Sequence, residues 1–236
     1  PRWWLYLYFI TIAWAIGYLI AMPGLGTFQG ALGWSSSGQY EAEIAFAEET
    51  YEPIYAQFAA MDFGELTKDE KAISLGKSLY ASYCTACHGS DARGAPGYPN
   101  LTDGDWLWGN TEQDLYTSIY SGRQAAMPVL APALGGDEGV TNMAKYVKSL
   151  STGEADAAAQ AMQPMFQAIC GVCHGADGTG NPALGAPNLA DGTWLYGGSI
   201  ETIRETILNG RNGVMPAHGE LLGENRSKIL AAYIAS

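Results

Sequence analysis

The later part of the chain is an internal repeat, and this feature limits the fold more than any other. Cys84 is matched by Cys170, 86 residues further on, while Pro99-Asn100-Leu101 is matched by Pro187-Asn188-Leu189 at an offset of 88. A two-residue insertion between 180 and 187 explains the change of offset. Two copies of one fold in tandem are therefore predicted, over 67–152 and 153–236.

Each copy has the sequence pattern of a helical domain, so the fold class is predicted to be all-α. The helix starts are predicted at Thr67, Thr111 and Ser199, two helix ends at Gly122 and Gly210, and the last helices at 140–150 and 226–235. Pro164 lies inside the expected leading helix of the second copy, where we predict a kink or a late start.

Each copy also contains one Cys-x-x-Cys-His motif, at 84–88 and at 170–174. Two thiols on one face of a short helix can reach the two vinyl groups of a haem, and the adjacent imidazole can then bind the iron. The motifs predict two covalently bound haem c groups, held by Cys84, Cys87, His88, Cys170, Cys173 and His174. A zinc site would need further Cys or His ligands close to each motif. A thioredoxin-like pair would not require the histidine in both copies.

A methionine followed by proline recurs at equivalent positions, and Met127 and Met215 lie 39 and 41 residues after His88 and His174. His/Met ligation fills both axial positions of a haem iron, which favours electron transfer over O2 or peroxide chemistry. The spacing leaves open whether each methionine ligates the haem of its own copy or that of the other copy.

Other polar residues recur near these methionines. Arg123 and Arg211 each precede one by four residues, where a guanidinium can pair with a haem propionate or serve as ordinary surface charge. Trp106 and Trp194 can pack on the porphyrin, donate to a propionate, or simply fill the core. His218 is the histidine outside the motifs, and we predict a surface position for it over a role at a propionate or as a ligand in place of Met215.

The N-terminal segment 1–24 is predicted to be a single-pass membrane anchor. Trp3–Met22 is a run of 20 residues without charge, long enough to cross about 30 Å of hydrocarbon. After Arg2 the next basic residue is Lys68, so the positive-inside rule puts the N-terminus in the cytoplasm and the remainder outside. A cleaved signal peptide fits less well, because the run is long and no small-residue cleavage site follows closely. Since the chain starts with Pro, we expect preceding residues to be missing.

Residues 25–66 are predicted to form an acidic connector with a helix over 39–60, kinked or divided at Pro53. The connector holds seven carboxylates and no Lys or Arg, and the whole chain has a net charge of -12. This charge argues against nucleic-acid binding. It can steer a basic protein partner, or it can simply aid solubility.

Several motifs together resemble the dihaem subunit of cbb3-type cytochrome c oxidases, known as subunit P or subunit III (CcoP or FixP). They are the start Pro-Arg-Trp-Trp, Cys-x-x-Cys-His-Gly twice, Trp-Leu-Trp-Gly with Trp-Leu-Tyr-Gly, and Gly-Arg-x-x-x-Met-Pro twice. The resemblance covers nearly the whole chain. It implies two class I cytochrome c domains after the transmembrane helix, on the periplasmic side of a bacterial inner membrane.

The resemblance also implies a function and a set of ligands. In that family the subunit is not itself catalytic: it takes electrons from a cytochrome c donor and passes them toward the monohaem subunit and the haem–copper subunit. There O2 is reduced and protons are pumped. By the same resemblance, His88 and His174 are proximal ligands and Met127 and Met215 sixth ligands. The Pro99 and Pro187 carbonyls accept the Nδ1–H of the histidines.

Other functions remain open at this level. The chain could serve as the cytochrome subunit of a membrane dehydrogenase, or as a tethered electron shuttle. A dihaem peroxidase would need an open axial position, which two matched methionines disfavour, and a haem-storage role gives no reason for them. The sequence does not reveal the reduction potentials, the order of the haems or the donor.

Overall fold

The computed structural model describes residues 1–24 and 26–236. It is 59% helix and 6% strand, so the predicted all-α class is confirmed, with one small two-stranded sheet in addition. The chain forms two compact units, Pro1–Ala56 and Gln57–Ser236.

The first unit contains the N-terminal helix and most of the connector helix. Helix α1 spans Arg2–Ala21, has no buried residue, and is long and apolar enough to cross a membrane. Helix α2 spans Ser36–Ala59 and contains Pro53. It is assigned as one helix through that proline, so the chain is not divided there. The predicted start at 39 was three residues late.

The second unit contains both sequence repeats in the same order of elements. The first repeat comprises α3 (Phe63–Leu66), α4 (Glu70–Tyr83), α5 (Thr85–His88), α6 (Glu112–Tyr120), β1 (Arg123–Met127), a 3-10 turn (Ala131–Leu134) and α7 (Asp137–Thr152). The second comprises α8 (Ala157–Gln160), α9 (Gln163–Met165), a π-helical turn (Phe166–Cys170), α10 (Gly171–His174), α11 (Ile200–Asn209), β2 (Arg211–Met215) and α12 (Gly219–Ala235).

Two of the three predicted helix caps are confirmed. The Thr111 and Ser199 side chains accept hydrogen bonds from backbone N–H groups three residues further on and so begin α6 and α11. The cap predicted at Thr67 is wrong. Asp69 caps α4 instead, because its carboxylate accepts two backbone N–H bonds, while Thr67 ends the short α3.

The leading helix of the second repeat is broken, as the proline predicted. Pro164 lies in the first turn of α9, where its missing N–H is not needed, and a π-helical turn then leads into the motif. Helix α11 ends at Gly210 as expected, whereas α6 ends two residues before Gly122. In α12, Gly223 has a φ of 70° and separates the first turn from the helix predicted over 226–235.

The two strands pair with each other across the repeats. They are antiparallel, with Arg123 opposite Met215 and Met127 opposite Arg211. Residues directly opposite each other in such a pair project from the same face, so each methionine lies beside the arginine of the other repeat. This ribbon was not predicted.

The last helix of each repeat packs on the other repeat. Helix α12 packs on α4 and α6, while α7 packs on α11 and α8. Two equivalent aromatic pairs join these elements: Tyr80 with Tyr233, whose ring centroids are 5.6 Å apart, and Phe166 with Tyr146, at 5.4 Å. Each half of the core is therefore built from both repeats. The domain boundaries predicted from the sequence repeat, with those of the anchor and connector, stay predictions.

Candidate haem sites

The two motifs form one-turn helices at equivalent places, α5 and α10. Their four cysteines are free thiols. Cys84 and Cys170 point inward while Cys87 and Cys173 are exposed. Burial, and secondarily the neighbouring cysteine, raises the pKa of Cys84 and of Cys170 to about 11.

The motif histidines are buried and held at one ring nitrogen. The Nδ1 of His88 lies 3.0 Å from the Pro99 carbonyl oxygen, and the Nδ1 of His174 lies 2.9 Å from that of Pro187, so both expected contacts are confirmed. Burial lowers the pKa of His174, although its hydrogen bond acts in the opposite direction. A neutral imidazole that donates from Nδ1 has its Nε2 lone pair available for a metal.

The loop that carries each proline returns closely to the motif helix. Gly94 donates its N–H to the His88 carbonyl, with an N–O distance of 2.8 Å, and has a φ of 69°. A side chain there would overlap the backbone of Pro99. Gly180 makes the equivalent bond to His174, at 2.7 Å. Glycine is needed at these positions because the left-handed turn and the close backbone approach coincide.

The structure brings each methionine-bearing strand toward the other repeat. Met127 packs against a buried cluster that includes Phe166 and Cys170 of the second repeat. Just after Met215, the His218 N–H donates to the Ile119 carbonyl on α6 of the first repeat, with an N–O distance of 3.0 Å. The surroundings of both methionine-bearing strands therefore include residues of the other repeat.

Both arginines are half-buried and fixed by their own repeats. The Arg123 Nε donates to Ser118 at 2.9 Å, and its guanidinium lies 4.9 Å from the centre of the Trp108 ring. The Arg211 Nε donates to Thr206 at 3.0 Å, and its guanidinium lies 4.4 Å from the ring centre of Tyr196. Each guanidinium is thus held on the same face as the methionine opposite it.

One buried donor lacks an acceptor close to these sites. Trp106 and Trp194 both line a cavity of about 430 Å³ between the repeats, which also borders Pro99 and Pro187. The Trp194 Nε1–H is buried and has no hydrogen-bond partner within residues 1–24 and 26–236. A buried N–H without a partner calls for an explanation. The carboxylate of a haem propionate would supply one, so the residues present fit a haem.

The chain matches two known family models. A family model described as "Cytochrome C oxidase, cbb3-type, subunit III" matches residues 71–147 and 157–234, and one described as the N-terminal domain of FixP matches residues 1–29. The chain belongs to the cbb3-type subunit III family. Its cytochrome c domains imply haem c as the cofactor.

Similar proteins include several subunits of cbb3-type oxidases. The CcoP subunit of Rubrivivax gelatinosus is 42% identical over 236 residues, covering 100% of this chain and 78% of that protein. The FixP subunit of Azorhizobium caulinodans is 39% identical, with 99% of this chain and 86% of that protein covered. The CcoP subunit of Cereibacter sphaeroides is 36% identical, with coverages of 99% and 87%. These similarities support the assignment of this chain as a cytochrome c subunit of the oxidase. They also support anchoring by α1 and association with other oxidase subunits.

One residue of this subunit III chain lies where the sequence did not predict it. His218 was expected at the surface, but it is half-buried, and its Nδ1 is buried without a hydrogen-bond partner in the part of the chain that is described. At the repeat offset of 88 its equivalent is Leu130, which packs against a buried cluster formed by residues of both repeats. That match to an apolar position was the signal in the sequence.

Proposed function

We propose that this chain relays single electrons through two covalently bound haem c groups, from a cytochrome c donor toward the monohaem and catalytic subunits of a cbb3-type oxidase. The observation that carries the proposal is the ribbon of β1 and β2. At each end of the ribbon a methionine thioether is paired with an arginine guanidinium, and the two motif histidines are each held at Nδ1. Such paired His and Met ligands fill both axial positions of an iron.

The ligands are proposed to be exchanged between the repeats. Cys84, Cys87 and His88 hold the first haem, with Met215 as its sixth ligand. Cys170, Cys173 and His174 hold the second haem, with Met127. The packing of Met127 against a buried cluster that contains Cys170, and of α12 on α4 and α6, supports this pairing. When bound, each haem supplies reversible exchange of one electron between ferric and ferrous iron.

The chain's own residues have three tasks in this relay. The Pro99 and Pro187 carbonyls orient the imidazoles, and the thioether sulfurs favour the ferrous state. Arg123 and Arg211 are proposed to face the propionates of the first and second haem, since each lies opposite the methionine proposed for that haem. Trp194 is proposed to donate its unpartnered Nε1–H to a propionate of the second haem.

The location follows the same line of argument. We propose that α1 crosses a bacterial inner membrane once, with the N-terminus in the cytoplasm and the haem domains in the periplasm. The uncharged run Trp3–Met22 and Arg2, the first residue of α1, support this orientation. Contact with membrane lipid is then confined to the α1 region.

The ligand assignment is tested by replacing each methionine in the full chain. Met215→Ala is expected to lower the midpoint potential of the haem at Cys84 and Cys87 by a large amount, because ferrous iron loses its thioether, and to leave the other haem nearly unchanged. Met127→Ala is expected to act on the haem at Cys170 and Cys173. If each variant affects the haem of its own repeat, the exchange is wrong. If neither titration moves, the methionines are not ligands.

The relay itself is tested by purifying the chain in mild detergent. An oxidase subunit should co-migrate with haem b and copper, and with a c-type monohaem chain. Single-turnover spectroscopy of that complex should show these haems reduced before the catalytic subunit. Co-migration with a flavin- or quinone-dependent dehydrogenase instead would overturn the proposal.

A further inference from the structure

One aromatic residue of each repeat lies against a loop of the other repeat, and the two residues, Trp108 and Tyr196, occupy equivalent positions. Gly185 is buried in close contact with the Trp108 ring. A Cβ atom added at this glycine would overlap the ring. Tyr196, the counterpart of Trp108, approaches Gly97 less closely, since a Cβ there would be 3.4 Å from the ring. The two contacts are related by the repeat but differ in tightness.

Both glycines belong to the loops that hold the motif histidines. Gly185 lies in a turn closed by the bridge between Asn181 and Ala186, directly before Pro187, whose carbonyl binds His174. Gly97 lies in the matching turn before Pro99, whose carbonyl binds His88. Each aromatic ring therefore touches the loop that orients the proximal histidine of the other repeat.

A guanidinium also lies over each aromatic ring. Arg123 covers Trp108, and Arg123 lies opposite Met215 on the ribbon. Arg211 covers Tyr196 in the same way and lies opposite Met127. A continuous set of packed groups thus runs from the distal methionine of one proposed site to the proximal histidine of the other.

We propose that Trp108 is a positioning residue for His174 and couples the two haem sites, and that Tyr196 does the same for His88 more weakly. Close-packed interiors transmit small displacements, because neighbouring groups cannot move independently. The tighter contact at Gly185 makes Trp108 the stronger positioning residue of the two. This inference rests on the proposed function, because it assigns the histidines to haem irons.

The experiment compares two glycine substitutions in the full chain, purified with its haems. Gly185→Ala and Gly97→Ala introduce the same methyl group into left-handed backbone, with φ of 63° and 89°, so both variants suffer comparable backbone strain. Only the first also displaces an aromatic ring. We expect Gly185→Ala to shift the low-spin ferric electron paramagnetic resonance signal and the midpoint potential of the haem at Cys170 and Cys173. The shift caused by Gly97→Ala on the other haem should be smaller.

A double-mutant cycle identifies the ring as the cause. Combining Gly185→Ala with Trp108→Ala removes the overlap, so the second haem's signal should return toward its position in Trp108→Ala alone. Trp108→Phe serves in place of Trp108→Ala if that variant fails to fold. Equal shifts from the two glycine variants, or a Gly185→Ala shift that survives loss of the indole, would overturn the inference.

The same samples separate this inference from the proposed function. Haem content by pyridine haemochrome and the spectra of the Met127→Ala and Met215→Ala variants first establish two haems and assign their signals. A wild-type chain with fewer than two haems, or without low-spin His/Met signals, would contradict the proposed function. Two normal haems with an unmoved second signal in Gly185→Ala would contradict only the coupling.

Discussion

The two repeats share their motif residues but surround them differently. Leu130 packs against the apolar cluster of the second half of the core. Its equivalent in the other repeat is His218, whose buried Nδ1 has no partner among the described residues. Trp108 presses on Gly185, whereas Tyr196 only approaches Gly97. The candidate ligands are thus duplicated while their environments are not. Any difference between the reduction potentials of the two proposed haems therefore originates in the residues around the ligands and not in the ligands themselves.

The largest effect is expected from a cavity in the shared core. Phe166 is fully buried and contacts Tyr146 of the other repeat, so Phe166→Ala should lower the free energy of unfolding by about 3–5 kcal/mol. Unfolding of the detergent-solubilised protein in guanidinium chloride, monitored by circular dichroism, measures this change. The low-spin His/Met absorbance of the second haem should be lost before that of the first, because the thioether bonds keep both haems on the unfolded chain.

The matched substitution in the first half of the core is Tyr80→Ala. Tyr80 is buried against Tyr233, and its hydroxyl also donates to the Gly89 carbonyl at 2.7 Å. Its replacement should make the first haem lose its axial methionine signal first. The same order of loss of axial ligation in both variants would show that the two halves are not separate packing units.

A smaller effect is expected where the repeats differ in polarity. His218→Leu restores the residue of the other repeat and removes a buried nitrogen without a partner in the described chain, so it should stabilise the protein by about 1–3 kcal/mol. The reciprocal Leu130→His should destabilise it by a similar amount. Thermal unfolding of both variants measures the contrast. A destabilised His218→Leu protein would mean that the nitrogen is satisfied in the haem-loaded state.

The smallest effect concerns the carboxylates at the cavity between the repeats. Burial raises the pKa of Asp191, with smaller contributions from Asp105 and Asp103, although a bond from the Thr193 N–H acts against them. Because the pKa of the folded state is above that of the unfolded state, wild-type stability falls as pH rises through this range. Asp191→Asn should therefore be more stable at pH 7, by a few tenths of a kcal/mol.

The pH profile provides the control for this carboxylate. Below the titration range of Asp191, where the wild-type side chain is already neutral, the difference between wild type and Asp191→Asn should vanish. Unfolding midpoints measured from pH 3 to pH 8 would show it. A difference that stays constant with pH would exclude the ionised carboxylate as the cause.

Much of the local structure could be predicted from the sequence, because its signals are short-range. The one-turn motif helices, the caps at Thr111 and Ser199 and the break at Pro164 each depend on a few neighbouring residues. The cap predicted at Thr67 was wrong because Asp69, two residues later, is an equally good acceptor and competes for the same helix start.

The long-range features could not be predicted in this way. Strands β1 and β2 are five residues long, lack a strong β-sheet composition and find each other 88 residues apart. The spacing of Met127 and Met215 is compatible with either pairing, since each follows its own histidine by about the same number of residues. Likewise His218 is visible as an anomaly only once its counterpart Leu130 is known to be packed in the core.

The crossed packing of the terminal helices also has a consequence for biosynthesis. Helices α4 and α6 are made early, yet the surface they bury belongs to α12, the last helix of the chain. During synthesis the apolar face of the first half of the core therefore stays uncovered until α12 has been made. A chain cut short before α12 lacks a finished first half, although α7, α8 and α11, which pack together in the second half, are all present.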